Sequence, residues 1–163
     1  MRKGEKGILV GLVAFAIVAM GVKFLFKPDG TRDGDFDLPF YSTAEQDIEK
    51  HAGLVLRQYK CRECHTLWGT RDAMQAVPSP PLDGIGSLKT EAWLYEYLSA
   101  KDPQSMIPSR LKARFRMPSY ADMPEDDRRA LASYLASLKV KDWYLETAKK
   151  TEYEKLTGED YRP

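Results

Sequence analysis

The chain has little with which to cross-link itself or hold a bare metal ion: its 163 residues include two cysteines and two histidines. Two cysteines exclude a disulfide-dense scaffold, and Cys61 and Cys64 sit too close together to staple distant parts of a fold. An excess of one charge is also missing. Lys and Arg number 25 against 24 Asp and Glu, and no strongly basic domain is available to neutralise phosphates, which excludes a nucleic-acid-binding face. The length excludes a large multi-centre enzyme, while leaving room for one domain of roughly 100 residues with appendages.

Long apolar runs are confined to one place. From Ile8 to Val22 the chain reads ILVGLVAFAIVAMGV, and Phe24, Leu25 and Phe26 extend the run beyond Lys23. As a helix, residues 8–26 would span about 28 Å, close to the ~30 Å hydrocarbon thickness of a bilayer. The stem of Lys23 can carry its ammonium to the interface. A cleaved signal peptide is the competing reading, since Ala14, Ala16, Ala19 and Gly21 offer small residues for cleavage. Phe24 to Phe26, however, prolong the tract past a usual signal. Residues 1–27 therefore read as an N-terminal membrane anchor. Arg2, Lys3 and Lys6 precede the span and keep the short N-terminus in the cytoplasm. This predicts a single pass through a bacterial inner membrane, with the remainder on the periplasmic side. Residues 28–43, rich in Pro, Gly and Asp, read as a periplasmic linker.

The rest of the chain carries helical periodicity and no sustained alternation, so the fold is expected to be all-α. The first helix runs from about Ala44 to Lys60, capped by Ser42 or Thr43, with Ile48, Ala52, Val55, Leu56 and Tyr59 on its apolar side. Gly53 on this helix allows close approach by a neighbour. A second helix spans about Thr90 to Ala100 and stops at Asp102-Pro103. A third begins at a capping box made by Asp122 and Glu125 and continues to about Lys139. Residues 66–89 and 103–123 are long loops. So much irregular chain leaves a small helical domain short of apolar core, and a large planar apolar ligand would supply it. Residues 140–163 add a polar extension carrying Trp143, Tyr144, Tyr153 and Tyr161, which predicts an arm for docking another subunit.

The segment Cys61-Arg62-Glu63-Cys64-His65 says which ligand. At helical spacing, two thiols can add to the two vinyl groups on one porphyrin edge while the adjacent imidazole approaches iron, so Cys61, Cys64 and His65 are assigned to one covalent haem c. A thioredoxin-like redox pair would want a surrounding βαβ pattern, and a zinc site would want further ligands, for which only His51 is left. The second axial position suits a soft thioether. Met74 lies too near the attachment segment, and Met106 and Met123 remain alternatives. Met117 is favoured because Pro118 restricts the backbone after it and presents it from a non-helical segment.

These features resemble the class I c-type cytochrome family over roughly residues 44–139, through CRECH, SPPLDG, the helix around Trp93, RMPSY and ALASYLASL. The resemblance implies a class I cytochrome c domain between the N-terminal transmembrane helix and the C-terminal extension. It places Gly53 and Tyr134 where the first and last helices cross. It also implies that Pro80 accepts the proximal imidazole proton of His65; a polyproline turn without that contact is the alternative. Trp93 is expected either in the core or at a haem propionate. Arg57 departs from the aromatic residue common at its position, and Leu56 and Tyr59 are expected to serve instead. His51 is expected to face solvent.

A six-coordinate iron leaves no open site for substrate, so the expected function is one-electron transfer without independent catalysis. By resemblance, the chain is a membrane-anchored subunit of a respiratory or photosynthetic complex. Its expected partners are the subunits of that membrane redox complex, including a quinol-oxidising or terminal-reductase component, and the lipid bilayer. Alternatives from other classes are a haem-based sensor or gas-binding module, whose methionine would dissociate, and a structural haem subunit. The basic run Arg110, Lys112, Arg114 and Arg116 is expected to neutralise propionates, to steer an acidic partner, or simply to be solvated.

Overall fold

Ile48, Ala52, Val55 and Leu56 recur every three or four residues, and they form the inner face of helix α1 (Gln46–Gln58). The computed structural model describes residues 15, 38–70, 77 and 79–163. The chain divides into Met1–Asp37 and Leu38–Pro163. Apart from Phe15, the expected anchor at 1–27, the linker up to residue 37 and Met74 lie outside the described residues. Among the described residues, no helix is long and apolar enough to cross a membrane.

Ser42 and Thr43 do not cap α1, whose N-cap position is Glu45 with no side-chain hydrogen bond. Both are engaged across the fold instead. Ser42 Oγ lies 3.1 Å from Ser137 Oγ and accepts from the Ala44 amide at 3.1 Å, while the Thr43 amide donates to the Ser137 carbonyl at 3.0 Å. These contacts continue a ribbon that the all-helical expectation did not include. Strand β1 (Phe40–Ser42) pairs antiparallel with β2 (Leu138–Val140), with Phe40 opposite Val140 and Ser42 opposite Leu138. The last part of the expected linker thus belongs to the domain, and the helix expected to reach Lys139 ends at Ser137, where pairing takes over.

Between these come α2 (Ile85–Leu88), α3 (Glu91–Ser99) and α4 (Glu125–Ser137). Thr90 caps α3 as expected, its Oγ1 accepting from the Trp93 amide at 3.2 Å. The expected capping box of α4 does not form. Pro124 occupies the N-cap position, and Glu125 turns outward to Arg129 at 2.5 Å. Arg128 holds the preceding turn by donating to the carbonyls of Ala121 and Met123. A proline brings no N–H and no polar side chain, so the Asp122–Glu125 exchange has nothing to bracket. The loop before α4 contains two single 3₁₀ turns, Pro103–Ser105 and Ala113–Phe115. A further helix, α5 (Leu145–Thr157), closes on the left-handed Gly158.

The core is shared by α1, α3 and α4, through Val55, Leu56, Leu94, Leu98, Leu131 and Leu135. Gly53 is not the point of close approach: a Cβ there would meet nothing within 4 Å. The small residue on the core face of α1 is its neighbour Ala52, fully buried in the cluster that holds Tyr134. Gly86 is where backbones meet. A Cβ at that position would lie 2.0 Å from the Ala136 carbonyl oxygen, so α2 can wedge against the end of α4 only with glycine. Lys139 Nζ donates to the Gly86 carbonyl at 2.5 Å, and the Val140 amide donates to Ser87 Oγ at 3.0 Å, which locks the wedge to β2.

Candidate functional site

Helix α1 stops short of the cysteines. Tyr59 ends it, Lys60 adopts a left-handed conformation (φ 54°), and Cys61–Glu63 form a separate 3₁₀ turn. The first helix thus ends close to the expected Lys60, and the motif itself is a 3₁₀ turn. The left-handed residue breaks the helix between α1 and the motif, so the motif forms a turn of its own. The turn stays compact, with the amides of Cys64 and His65 both donating to the Cys61 carbonyl, at 3.2 and 2.9 Å.

One cavity, about 1330 Å³ when counted to its open mouth, is lined by Cys61, Cys64, His65, Pro80, Trp93 and Met117. Elements far apart in the chain bring these six sequence-derived residues together. Leucines of α1, α3 and α4 supply the apolar wall, among them Leu56, whereas Arg57 is exposed.

The His65 Nδ1 atom lies 2.7 Å from the Pro80 carbonyl. A carbonyl only accepts, so Nδ1 carries the proton and Nε2 is the bare nitrogen. Burial lowers the His65 pKa, with the Pro80 contact pulling the other way, and the ring is neutral at neutral pH. A neutral imidazole with one nitrogen committed and the other lone pair open on an apolar cavity fits an axial ligand to iron. Burial pushes the Cys61 thiol up to about 11, and Cys64 is raised by burial and then by Glu63. Both are neutral thiols. Among the described residues, no group of three or more His, Cys, Asp or Glu is placed to hold a metal ion, which leaves the zinc reading without its ligands there.

Of the methionines compared, Met117 lines the cavity, Met106 does not, and Met123 is buried in the core, 4 % exposed. Gln104 steadies the Met117 backbone, its Nε2 donating to the Met117 carbonyl at 3.2 Å. Trp93 lines the cavity while stacking on Tyr97 at 5.1 Å and lying under Lys89, whose ammonium is 5.3 Å from the ring centroid. Tyr120, packed edge-on against Tyr59, also faces the cavity, and burial pushes its hydroxyl up to about 12. His51 is elsewhere, exposed and 2.7 Å from Asp127. Of the basic run, Arg110 and Arg116 reach the cavity, and Arg114 and Arg116 border a shallower opening beside Cys64 and Met117.

Three contributions escape sequence reasoning. Asp83 is buried, 6 % exposed, and accepts from the Gly69 amide at 3.2 Å. Burial raises its pKa, opposed by hydrogen bonds from Gly69, Trp68 and the Thr66 side chain. It pins the loop after His65 to the segment that presents Pro80; an acid inside a Pro- and Gly-rich turn was the only local hint. The second is Gln104. The third is α5, whose Glu152, Lys155 and Leu156 line the same cavity, so the expected docking arm folds back onto its own domain. Of the four aromatics expected to anchor a partner, Tyr144 packs on Phe40 and Tyr153 on Tyr161, whereas Trp143 remains 62 % exposed.

In comparison with known proteins, the family model described as Cytochrome c matches residues 52–139. No curated protein matches the chain, and no solved structure does.

Proposed function

The chain belongs to the cytochrome c family, and on that premise we propose that it is a membrane-anchored electron-carrying subunit of a respiratory or photosynthetic complex. Its cofactor is one covalently bound haem c, consistent with the closely spaced Cys61 and Cys64. The haem, when bound, supplies a one-electron ferric–ferrous couple, and the family is one of electron carriers. In our reading Cys61 and Cys64 would hold it by thioethers, and His65 and Met117 would supply the ligands to its iron. Pro80 fixes the proton on His65 Nδ1 and so keeps Nε2 directed to iron. The Met117 thioether favours the reduced state. The leucine wall keeps water away, and Trp93 and Tyr97 build one side of the cavity.

The observation that carries this reading is the convergence of both thiols, the open imidazole nitrogen and one thioether on a single apolar cavity. The native chain should carry the mass of one haem, and its spectrum should show the thioether-to-iron charge-transfer absorption. Retention of that absorption in Met117→Ala would remove Met117 from the ligand set.

The membrane reading is supported by the apolar run at 8–26 and the cations before it. Residues 1–27 anchor the chain in the bacterial inner membrane, and the haem domain stands on the periplasmic side. Tethering confines the domain near its donor and acceptor and raises their effective concentration. The partners in this reading are a quinol-oxidising or terminal-reductase component, approached through the opening bordered by Arg114, Arg116 and Lys101. Extraction tests the anchor: the full chain should leave membranes only with detergent, and a chain lacking 1–27 but exported by a cleavable signal should appear in the soluble periplasmic fraction. Purification of the intact assembly identifies the partners.

A further inference from the structure

Haem carries two carboxylates, and a carboxylate brought to an apolar cavity is costly unless a cation meets it. The cavity wall is therefore informative about which of its cations are already committed. Lys60 pairs with Glu63 at 3.5 Å, and Lys89 pairs with Glu152 at 3.4 Å. Arg116 commits its Nε to the Leu111 carbonyl at 2.8 Å. Arg110 and Lys155 also line the cavity, and neither has an acidic partner among the described residues.

The position of Lys155 on α5 sharpens this. Of the three lysines on that helix, Lys149 pairs with Glu146 at 2.7 Å and Lys150 with Glu154 at 3.8 Å. The unpaired lysine is the one that faces the cavity, on the same helical face as Glu152 and Leu156. Two contacts hold that face in place. One is the half-buried Lys89–Glu152 pair. The other is Arg110, which lies so close over the left-handed Gly158 that a Cβ there would be 3.1 Å from its Nε. Arg110 thus lies over the C-terminal end of α5, the helix that carries Lys155 and lies beyond the matched segment 52–139.

We propose that α5 is a wall of the haem site and that Lys155, with Arg110 lining the same cavity, is the cationic clamp for a haem carboxylate. The assignment rests on the haem reading above. The bland explanation is that a lysine in the last turn of α5 merely complements the helix dipole, which predicts a small effect on stability and none on the haem.

The test is a charge series at position 155 in the full-length, haem-loaded protein, read as midpoint potential by redox titration. Removing a nearby positive charge favours ferric iron. Lys155→Gln should move the oxidised-to-reduced ratio at fixed potential by roughly tenfold, equal to ~59 mV for one electron, and Lys155→Glu should move it further. Lys155→Arg should restore the wild-type value within about twofold. The ordering should persist in ~1 M salt, where the Debye length of ~3 Å screens exposed charges but not a paired one. A potential that ignores residue 155, a shift that disappears in salt, or a change confined to melting temperature overturns the clamp. A native chain without the haem mass overturns the haem reading itself, whereas a haem-loaded chain indifferent to residue 155 overturns only the clamp.

Discussion

Two helical glycines should respond to the same substitution in opposite directions. At Gly86 a Cβ would lie 2.0 Å from the Ala136 carbonyl oxygen and 2.9 Å from its Cα, both backbone atoms of α4. Carbon and oxygen ordinarily approach to ~3.3 Å, so α2 and α4 must separate by about 1 Å, and no side-chain rotation can relieve the contact. Overpacking of this kind costs at the upper end of its range, about 3 kcal/mol. At Gly53, in the interior of α1, a Cβ would meet nothing, and only the helix-propensity gain of about 1 kcal/mol remains. For a unit the size of Leu38–Pro163, 1 kcal/mol corresponds to roughly 4 °C in Tm. Gly86→Ala should therefore melt about 12 °C below the wild type, and Gly53→Ala about 4 °C above it. Thermal unfolding of the haem-loaded full chain, followed by far-UV circular dichroism and by haem absorption, reads both. A lowered Tm for Gly53→Ala would return the helix crossing to Gly53. A Gly86→Ala variant melting within about 2 °C of the wild type would refute the wedge.

Other outcomes follow from the site. Under the ligand set proposed above, Met117→Ala should keep the haem attached while losing the thioether absorption and lowering the midpoint potential, because the proposed soft ligand that favours reduced iron would be gone; a redox titration beside the optical spectrum checks both. Asp83 is held above the ordinary carboxylate pKa by burial, so the folded state binds its proton more readily than the unfolded chain. The resulting penalty is present at neutral pH and fades as pH falls through the folded pKa. Urea unfolding should then show the wild type gaining on Asp83→Asn as pH drops toward the ordinary carboxylate value of 3.8; a pH-independent difference would contradict this. Trp143→Ala should leave the Tm unchanged within ~0.5 kcal/mol of stability, yet reduce co-purification with the parent complex, and undiminished co-purification would end its role as an anchor. It is a cleaner probe than deleting 142–163, which would also remove the α5 wall.

What the sequence made legible was local. The attachment motif, the methionine before a proline, the Thr90 cap and the apolar stripes of α1, α3 and α4 each depend on neighbours a few positions apart. The misses involve partners distant in the chain. Strand β1 has three residues and pairs with β2 nearly a hundred positions later, too short to show a periodicity. Ser42 and Thr43 look like caps and are drawn to Ser137 instead. The left-handed Lys60 has no signature, being neither Gly nor Asn. The return of α5 to the cavity depends on Glu152 finding Lys89, which no local pattern announces.

The small ribbon also determines how the domain bears load. From Leu38 the chain pairs at once with the segment leaving α4, and the Lys141 amide donates to the Pro39 carbonyl at 2.9 Å just outside the strand pairs. Under the anchoring proposed above, tension entering at residue 38 would meet that outer bond first and would have to peel the ribbon open pair by pair before it reached α1. If the chain is anchored as proposed, the turn that carries Cys61, Cys64 and His65 would thereby be mechanically isolated from the pull, and the spacing of its side chains would not change with the load.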